Sequence, residues 1–245
     1  MYYVNALDSH DLRCAEPYDS FEYWRTVCED SDWVEEPNAR RKGSSGVRRA
    51  CLHGQEYFIK TQVNHFHYSS RHVLGRPTAL REAEALEACH RLGILAPQIV
   101  FCETRKVDGH HRTLLVTRSL GDFIDLNDFL HRWSEAEDRQ IRWGALDQIA
   151  ATLARMHSAR WQHSALYAKH VFVAKRAAPR GNGAEFGIAL LDLEKARRRL
   201  TVSQASRHDI QQFQRHAAGL DRDDWRQFLG RYSYHLTHRS RQSEK

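Results

Sequence analysis

Three residues in this 245-residue chain are placed where phosphate and metal chemistry would need them. Lys60 ends the apolar step Tyr57-Phe58-Ile59, where a strand would point it away from its buried neighbours. The turn Lys42-Gly43-Ser44-Ser45-Gly46 lies some way before it, and the run REAEALEACHRL after it carries Glu82 and Glu84. Glycines let backbone N–H groups approach phosphates closely, a lysine clamps them, and a helix carboxylate holds the lysine in place. Either Glu82 or Glu84 can play the last part. Asp192 closes the apolar run Gly187-Ile-Ala-Leu-Leu191. A carboxylate delivered by such a strand needs a cation, since an unpaired buried charge is costly. That cation is either a metal bound to nucleotide phosphates or the side chain of Lys195 or Arg197.

A fourth stretch, RWQHSALYAKHVFV from Arg160 to Val173, has the outline of a catalytic turn, His-x-Asp-x-x-x-x-Asn, followed by a short strand. Ala165 stands where the acid belongs and His170 where the amide belongs, and no acidic residue occurs between Asp147 and Glu185. His163 offers an imidazole that titrates near neutrality and could take a proton in place of the missing acid. The alternative is a histidine that only orders the turn. Lys169, four residues past Ala165, adds a cation to the same turn.

The elements that must position these residues divide the chain into a strand-rich front and a helix-rich back. Runs GVRRACL and EYFIKTQ flank His53-Gly54, and QIVFCETRKV and HHRTLLVTRSL flank Asp108-Gly109, so both read as hairpins. Apolar residues at three-and-four spacing from Thr78 to Leu92, before Gly93, predict a helix, and SFEYWRTVCED reads as another. From Asp125 onward helical patterns dominate: DLNDFLHRW, Ala136 to His157, SQASRHDIQQFQRHAA and DDWRQFLGRYSYHL. Two short strands, HVFVAK and GIALLDLEK, lie among them, joined by a loop insert from Ala177 to Gly183. The expected fold class is α+β and bilobal, a single domain with a small antiparallel β lobe carrying one helix (33–120) and a helical lobe (121–245).

Bulk properties narrow the classes of function. With 41% hydrophobic residues the chain can bury a full core, and no window is apolar enough to span a bilayer. The start, MYYVNALDSHDLRC, lacks the pattern of a signal peptide, so a cytoplasmic location is expected. Five scattered cysteines show no metal-ligand spacing. The balance of 37 basic to 31 acidic residues, net +6, favours anionic partners. Basic residues gather at Arg40, Arg41, Lys42, Arg48 and Arg49, and again at Arg197, Arg198 and Arg199, although such runs also occur as plain solvated faces. No helix interleaves arginines with aromatics on one face, so nucleic acid is not an expected partner.

The stretches EEPNARRKGSSGV, GQEYFIKTQ, REAEALEACHRLGILAP, RWQHSALYAKHVFV and LLDLEKARR together resemble the lipopolysaccharide kinase (Kdo/WaaP) family, and more closely its InaA-like branch. The LYxKH and LDLEKAR pieces are the most specific. The resemblance implies a protein-kinase-like fold, ATP and Mg2+ as cofactors, and a heptose or Kdo sugar of the lipopolysaccharide core, or another anionic sugar-lipid, as acceptor. It also implies peripheral contact with the inner membrane. By position it makes Lys60 the nucleotide lysine, Glu82 its helix partner, with Glu84 as fallback, and Gly43 and Gly46 part of the nucleotide turn. Asp192 and His170 become metal ligands, and His163 with Lys169 complete a modified transfer site. With Ala165 at the acid position, two functions remain open: a kinase with an altered catalytic loop, or a pseudokinase serving as scaffold or regulator.

Overall fold

The computed structural model describes residues 18–40, 43–69, 72–135, 138–177 and 184–242. The readings made for the chain's start, for Arg41 and Lys42, and for residues 178–183 of the loop insert lie outside these. The described chain is α+β and forms two compact units. The first takes the residues up to Glu87 together with Pro97–Leu120, and the second takes Ala88–Ala96 together with Gly121 onward.

In the first unit, strands β1 (Asp32–Arg40), β2 (Gly43–Leu52), β3 (Gln55–Val63), β6 (Ile99–Val107) and β7 (His110–Arg118) form an antiparallel sheet in the order β1-β2-β3-β7-β6. Its two hairpins close as the turn chemistry dictates. Leu52 faces Gln55 across His53 (φ 52°) and Gly54 (φ 78°), and Val107 faces His110 across Asp108 (φ 49°) and Gly109 (φ 79°). Two consecutive positive φ values are the mark of the type I′ turn, whose twist matches that of the strands.

Strand β3 sits at the centre and uses both of its faces. Tyr57 and Ile59 turn to one side, where they pack with Phe101, Leu114 and Val116 against Phe21, Trp24 and Cys28 of helix α1 (Phe21–Glu29). Ser20 caps that helix at its start by accepting from Tyr23 N–H. Arg48 of β2 closes its other end, donating to the carbonyls of Cys28, Glu29 and Ser31 at 2.6, 3.0 and 2.8 Å while its guanidinium lies 3.9 Å from the centre of the Trp33 ring. Lys60 and Gln62 belong to the opposite face, which meets helix α2 (Thr78–Arg91).

A small hairpin of β4 (Phe66–Ser69) and β5 (His72–Pro77) leads into α2. The helix ends where glycine permits the left-handed turn, with Gly93 at φ 65° and Ile94 N–H returning to Cys89 O.

The second unit is mostly helical: α3 (Leu126–Arg132), α4 (Arg139–Ser158), α5 (Val202–His216) and α6 (Arg222–Gln242). A three-stranded sheet, β11-β10-β8, is built from β8 (Ile124–Asp125), β10 (Val171–Ala177) and β11 (Ala184–Leu190). A two-stranded pair joins β9 (Trp161–Gln162) to β12 (Arg197–Arg198). Its core is closed by Leu126, Phe129, Leu146, Ile149, Leu153, Phe213 and Phe228, all fully buried. Among the described residues no helix is long and apolar enough to cross a membrane.

Four features depart from the expected pattern. Strand β1 was not expected; it is an edge strand bearing Pro37, and its pairing shifts register on both sides of Glu35, as an edge tolerates and a central strand does not. The hairpin β4–β5 was also unforeseen, since its connection lacks the Asn-Gly or Asp-Gly signal. The segment expected to be a glycine turn is instead the opening of β2, in which Gly43 pairs with Arg40 and Gly46 with Thr61. Of the first basic cluster, Arg48 is committed to capping α1, and Arg49 lies 3.8 Å from Glu56.

Candidate functional site

Lys60 and Glu82 meet because strand and helix periodicities agree. Gln62 accepts hydrogen bonds from the Thr78 hydroxyl and from Ala79 N–H, both at 2.9 Å, which seats the first turn of α2 over β3. One turn further along the helix face, Glu82 lies over the strand residue two steps before Gln62. Lys60 Nζ lies 2.5 Å from Glu82 Oε2, with the two side chains 16% and 10% exposed. Glu84 is half exposed on another face and pairs with Arg76 at 2.7 Å. Of the two carboxylates open in the sequence, Glu82 is therefore the partner of Lys60.

Gly43 and Gly46 are explained by packing within the sheet. A Cβ on Gly43 would come within 2.6 Å of the carbonyl oxygen of Asn64, and one on Gly46 within 2.7 Å of the Trp33 ring. Both glycines admit close neighbours of this same chain, with strand pairing already satisfied.

In the second unit, the segment from Trp161 to His170 is fixed by one buried carboxylate. Asp209 of α5, wholly inaccessible, accepts from the backbone N–H of His163 at 2.6 Å and of Ser164 at 2.9 Å. His157 of α4 donates its Nε2–H to the same carboxylate at 3.2 Å, and its Nδ1 faces the hydroxyl of Tyr232 from α6 at 2.8 Å. Burial raises the pKa of Asp209, but the His157 hydrogen bond and charge, aided by His163, outweigh it and hold the carboxyl below its ordinary range. Burial raises the pKa of the Tyr232 phenol. Three helices thus converge on two backbone N–H groups of the turn. Asp209 and His157 escaped the sequence reading because an aspartate inside a helix carries no local sign of partners 46 residues away.

His163 is fully buried, and both ring nitrogens are used. Nε2–H donates to the carbonyl of Leu191 at 2.9 Å, and Nδ1 accepts from Ala165 N–H at 3.3 Å. Burial pushes its pKa below the ordinary value, more than nearby Asp209 pulls it up. An imidazole with no free lone pair and no exposed surface orders the turn; as placed it has nothing to offer a substrate hydroxyl. The expectation that His163 takes up the proton is corrected on these grounds. Ala165 is itself 1% exposed, and Lys169 is exposed, its ammonium in no ion pair with a described residue.

His170 and Asp192 are brought together. His170 Nδ1 lies 2.7 Å from the carbonyl of Ala165, which only Nδ1–H can satisfy, so a neutral imidazole presents its Nε2 lone pair to Asp192 Oδ2, 3.5 Å away. A lone pair facing a carboxylate calls for a proton or a metal ion between them. Asp192 holds this pose in the left-handed region, at φ 54° and ψ 56°, an uncommon conformation for a residue other than glycine. Neither Lys195 nor Arg197 pairs with it; its partner is His170. Among the described residues no group of three protein ligands could enclose a metal, so an ion here would complete its shell with phosphate oxygens and water.

Strand lysine with helix glutamate, followed by a turn ordered by a buried aspartate and a strand-end aspartate beside an imidazole, is the arrangement of a kinase-like protein. The chain belongs to the lipopolysaccharide kinase (Kdo/WaaP) family, whose model matches residues 24–232. It is 37% identical over 217 residues to protein InaA of Escherichia coli (strain K12), covering 88% of this chain and 96% of that one. Among solved structures, WaaP in complex with acyl carrier protein matches with a TM-score of 0.63 over 91% of both chains at 22% identity, which establishes a shared fold.

Proposed function

We propose that this chain is a metal- and nucleotide-dependent phosphotransferase acting on a sugar of the lipopolysaccharide inner core, heptose or Kdo, with a transfer step that uses no general base. The observation that supports it most is the pair of poised groups, Lys60 with Glu82 and His170 with Asp192, alongside a turn whose acid position is Ala165. Lys60 would hold the α- and β-phosphates, oriented by Glu82. His170 and Asp192 would hold Mg2+, and exposed Lys169 would neutralise charge on the transferred group. ATP supplies the phosphoryl group, and the metal offsets its charge. The work would take place in the cytoplasm, at the inner membrane surface where such acceptors lie. The acyl carrier protein bound to WaaP in its solved structure is a candidate partner here too.

Phosphoryl transfer passes through a loose transition state, in which positioning and charge neutralisation carry most of the effect. A missing base costs about a hundred- to ten-thousand-fold in rate, which slows transfer without abolishing it. The second reading, a pseudokinase that binds nucleotide as a scaffold or regulator, is favoured by Ala165, a buried methyl at the acid position.

The test is transfer of labelled phosphate from ATP to lipopolysaccharide core by the wild type and Ala165→Asp, with melting curves in MgATP alongside. Slow wild-type transfer that Ala165→Asp accelerates is the expected result. A melting shift in MgATP with no transfer by either protein would leave the scaffold reading. No shift and no transfer would remove both nucleotide readings.

A further inference from the structure

Several cations in the second unit are committed. Arg142 donates to the carbonyls of Trp133, Ser134 and Glu135 and approaches Asp224, Arg155 donates to Gly93 O, and Arg231 grips Asp147 through two nitrogens. The strands flanking the ordered turn behave otherwise. The side chains of Arg160, Lys195, Arg197, Arg198 and Arg199 meet no carboxylate or carbonyl among the described residues, and all but Arg199 are exposed.

The β9–β12 ladder gathers them. Arg197 lies across from Gln162 and Arg198 across from Trp161, and Arg199 N–H donates to Arg160 O at 2.8 Å, which extends the ladder and sets Arg199 across from Arg160. Side chains directly across a ladder share a face, and like charges in that position repel. Arg160 holds its place at φ 61°, a conformation that costs energy for a residue with a side chain. On the same face, the amide of Gln162 is fully buried with neither its nitrogen nor its oxygen hydrogen-bonded, and Arg199 Nε is buried without a partner. Repulsion, backbone strain and unmet polar atoms thus coincide at one short ladder. Of these costs, the repulsion and the unmet Arg199 Nε–H are ones that an anion seated among the guanidinium groups would offset.

We infer that Arg160, Arg197 and Arg199, with Lys195 two residues before Arg197, form a docking site for an anionic group on the acceptor, a phosphate or carboxylate of the sugar. The inference rests on the proposed acceptor class and adds where that acceptor is held. Gln162 runs directly into His163, and Lys195 follows Asp192 by one short 3-10 turn, so the site is continuous along the chain with both the ordered turn and the metal aspartate. It also orders the chemistry: if the anion is a phosphate, a phosphorylating reaction precedes this one on the same glycan.

The experiment is calorimetric titration of the full chain with deacylated lipopolysaccharide inner-core oligosaccharide. It uses native core, core stripped of phosphate by hydrofluoric acid, and core with its carboxyls reduced. Each lost guanidinium contact is expected to weaken binding about tenfold, so the double variant Arg197→Gln/Arg199→Gln should bind native core about a hundredfold more weakly than wild type. One of the two altered cores should show a comparable loss with the wild type, and which one identifies the anion. The inference is overturned if wild type does not bind native core, if the variant binds it within about twofold of wild type, or if both altered cores bind as tightly as the native one. Tighter binding of wild type to a homopolymeric RNA than to core would overturn it as well. Melting curves with and without MgADP on the same samples keep the two readings apart. A retained shift shows that the variants are folded, while its absence in the wild type counts against the nucleotide reading and leaves the core titration to judge the docking site.

Discussion

Replacing Asp209 with asparagine tests whether one carboxylate organises the whole turn. The partners of the carboxylate are His163 N–H at 2.6 Å, Ser164 N–H at 2.9 Å, His157 Nε2–H at 3.2 Å and, at 3.4 Å, His208 Nδ1. Asparagine retains one acceptor oxygen and turns an NH2 group towards donors that formerly met the other. If the oxygen stays with His163 and His157, the NH2 opposes Ser164 N–H. Hydrogen bonds to a charged acceptor are worth about 1.5–3 kcal/mol, and a buried donor left unmet costs about 1–3 kcal/mol. A loss of about 3–5 kcal/mol follows, the range expected when one member of a buried charged pair is removed. For a chain of this size each kcal/mol moves the melting temperature by about 2–4 °C, so Asp209→Asn should melt about 10 °C lower by circular dichroism. Amide hydrogen exchange at His163 and Ser164 should rise with it. A melting point within about 1 °C of wild type, with both amides still protected, would refute the claim that Asp209 holds the turn.

Lys60→Ala should abolish the MgATP melting shift and lower stability by about 1–3 kcal/mol by removing the ammonium that meets the largely buried Glu82 carboxylate, whereas Glu84→Ala, which breaks a half-exposed pair with Arg76, should cost under about 1 kcal/mol; equal losses by chemical denaturation would contradict the assignment of Glu82. Because an imidazole nitrogen suits Mn2+ better than the all-oxygen preference of Mg2+, ADP should bind several-fold tighter with manganese, and His170→Asn should erase the difference. Identical metal preference in both proteins by calorimetry would remove His170 from the ligand set. Burial lowers the pKa of His163, so the unfolded chain binds the extra proton first: its contribution to stability is complete above about pH 6.5 and drains away as pH falls below that towards the folded value. Asp209, whose pKa is also lowered, adds a loss that begins only near about pH 4. A melting temperature flat from pH 7 to about 5 would show that His163 is not held neutral.

How much of this was readable from sequence depended on how local the cause was. The two hairpins carry their turn chemistry in two residues each, and Thr78 to Leu92 announces a helix by periodicity and a closing glycine. Lys60 could be matched to a glutamate of the following helix because strand lysine before helix glutamate is the order kinases use, while the choice of Glu82 over Glu84 waited on Arg76, whose position follows from an unforeseen hairpin. Gly43 and Gly46 looked like a turn because composition hides register; the neighbours that require glycine there are Asn64, just past the end of β3, and Trp33 on β1. His163 was offered as a proton acceptor because a sequence shows an imidazole and not which lone pairs are spent. Asp209 left no trace, since its meaning lies in two N–H groups brought to it by the fold.

Helix α1 has a bearing on how this protein can be cut and joined. It places Phe21 and Trp24, each wholly out of water, against the face of the central sheet opposite Lys60, with Arg48 pinning the helix end to β2. A version of the chain begun at β1 would expose Tyr57, Ile59, Phe101 and Val116 to solvent, a flat apolar sheet face seeking a cover. Two such shortened chains would cover each other, and a fusion partner attached at that point would compete for the same face. Helix α1 therefore belongs to the smallest unit that can be expressed as a monomer, even though it covers the sheet face opposite the lysine that would handle phosphate.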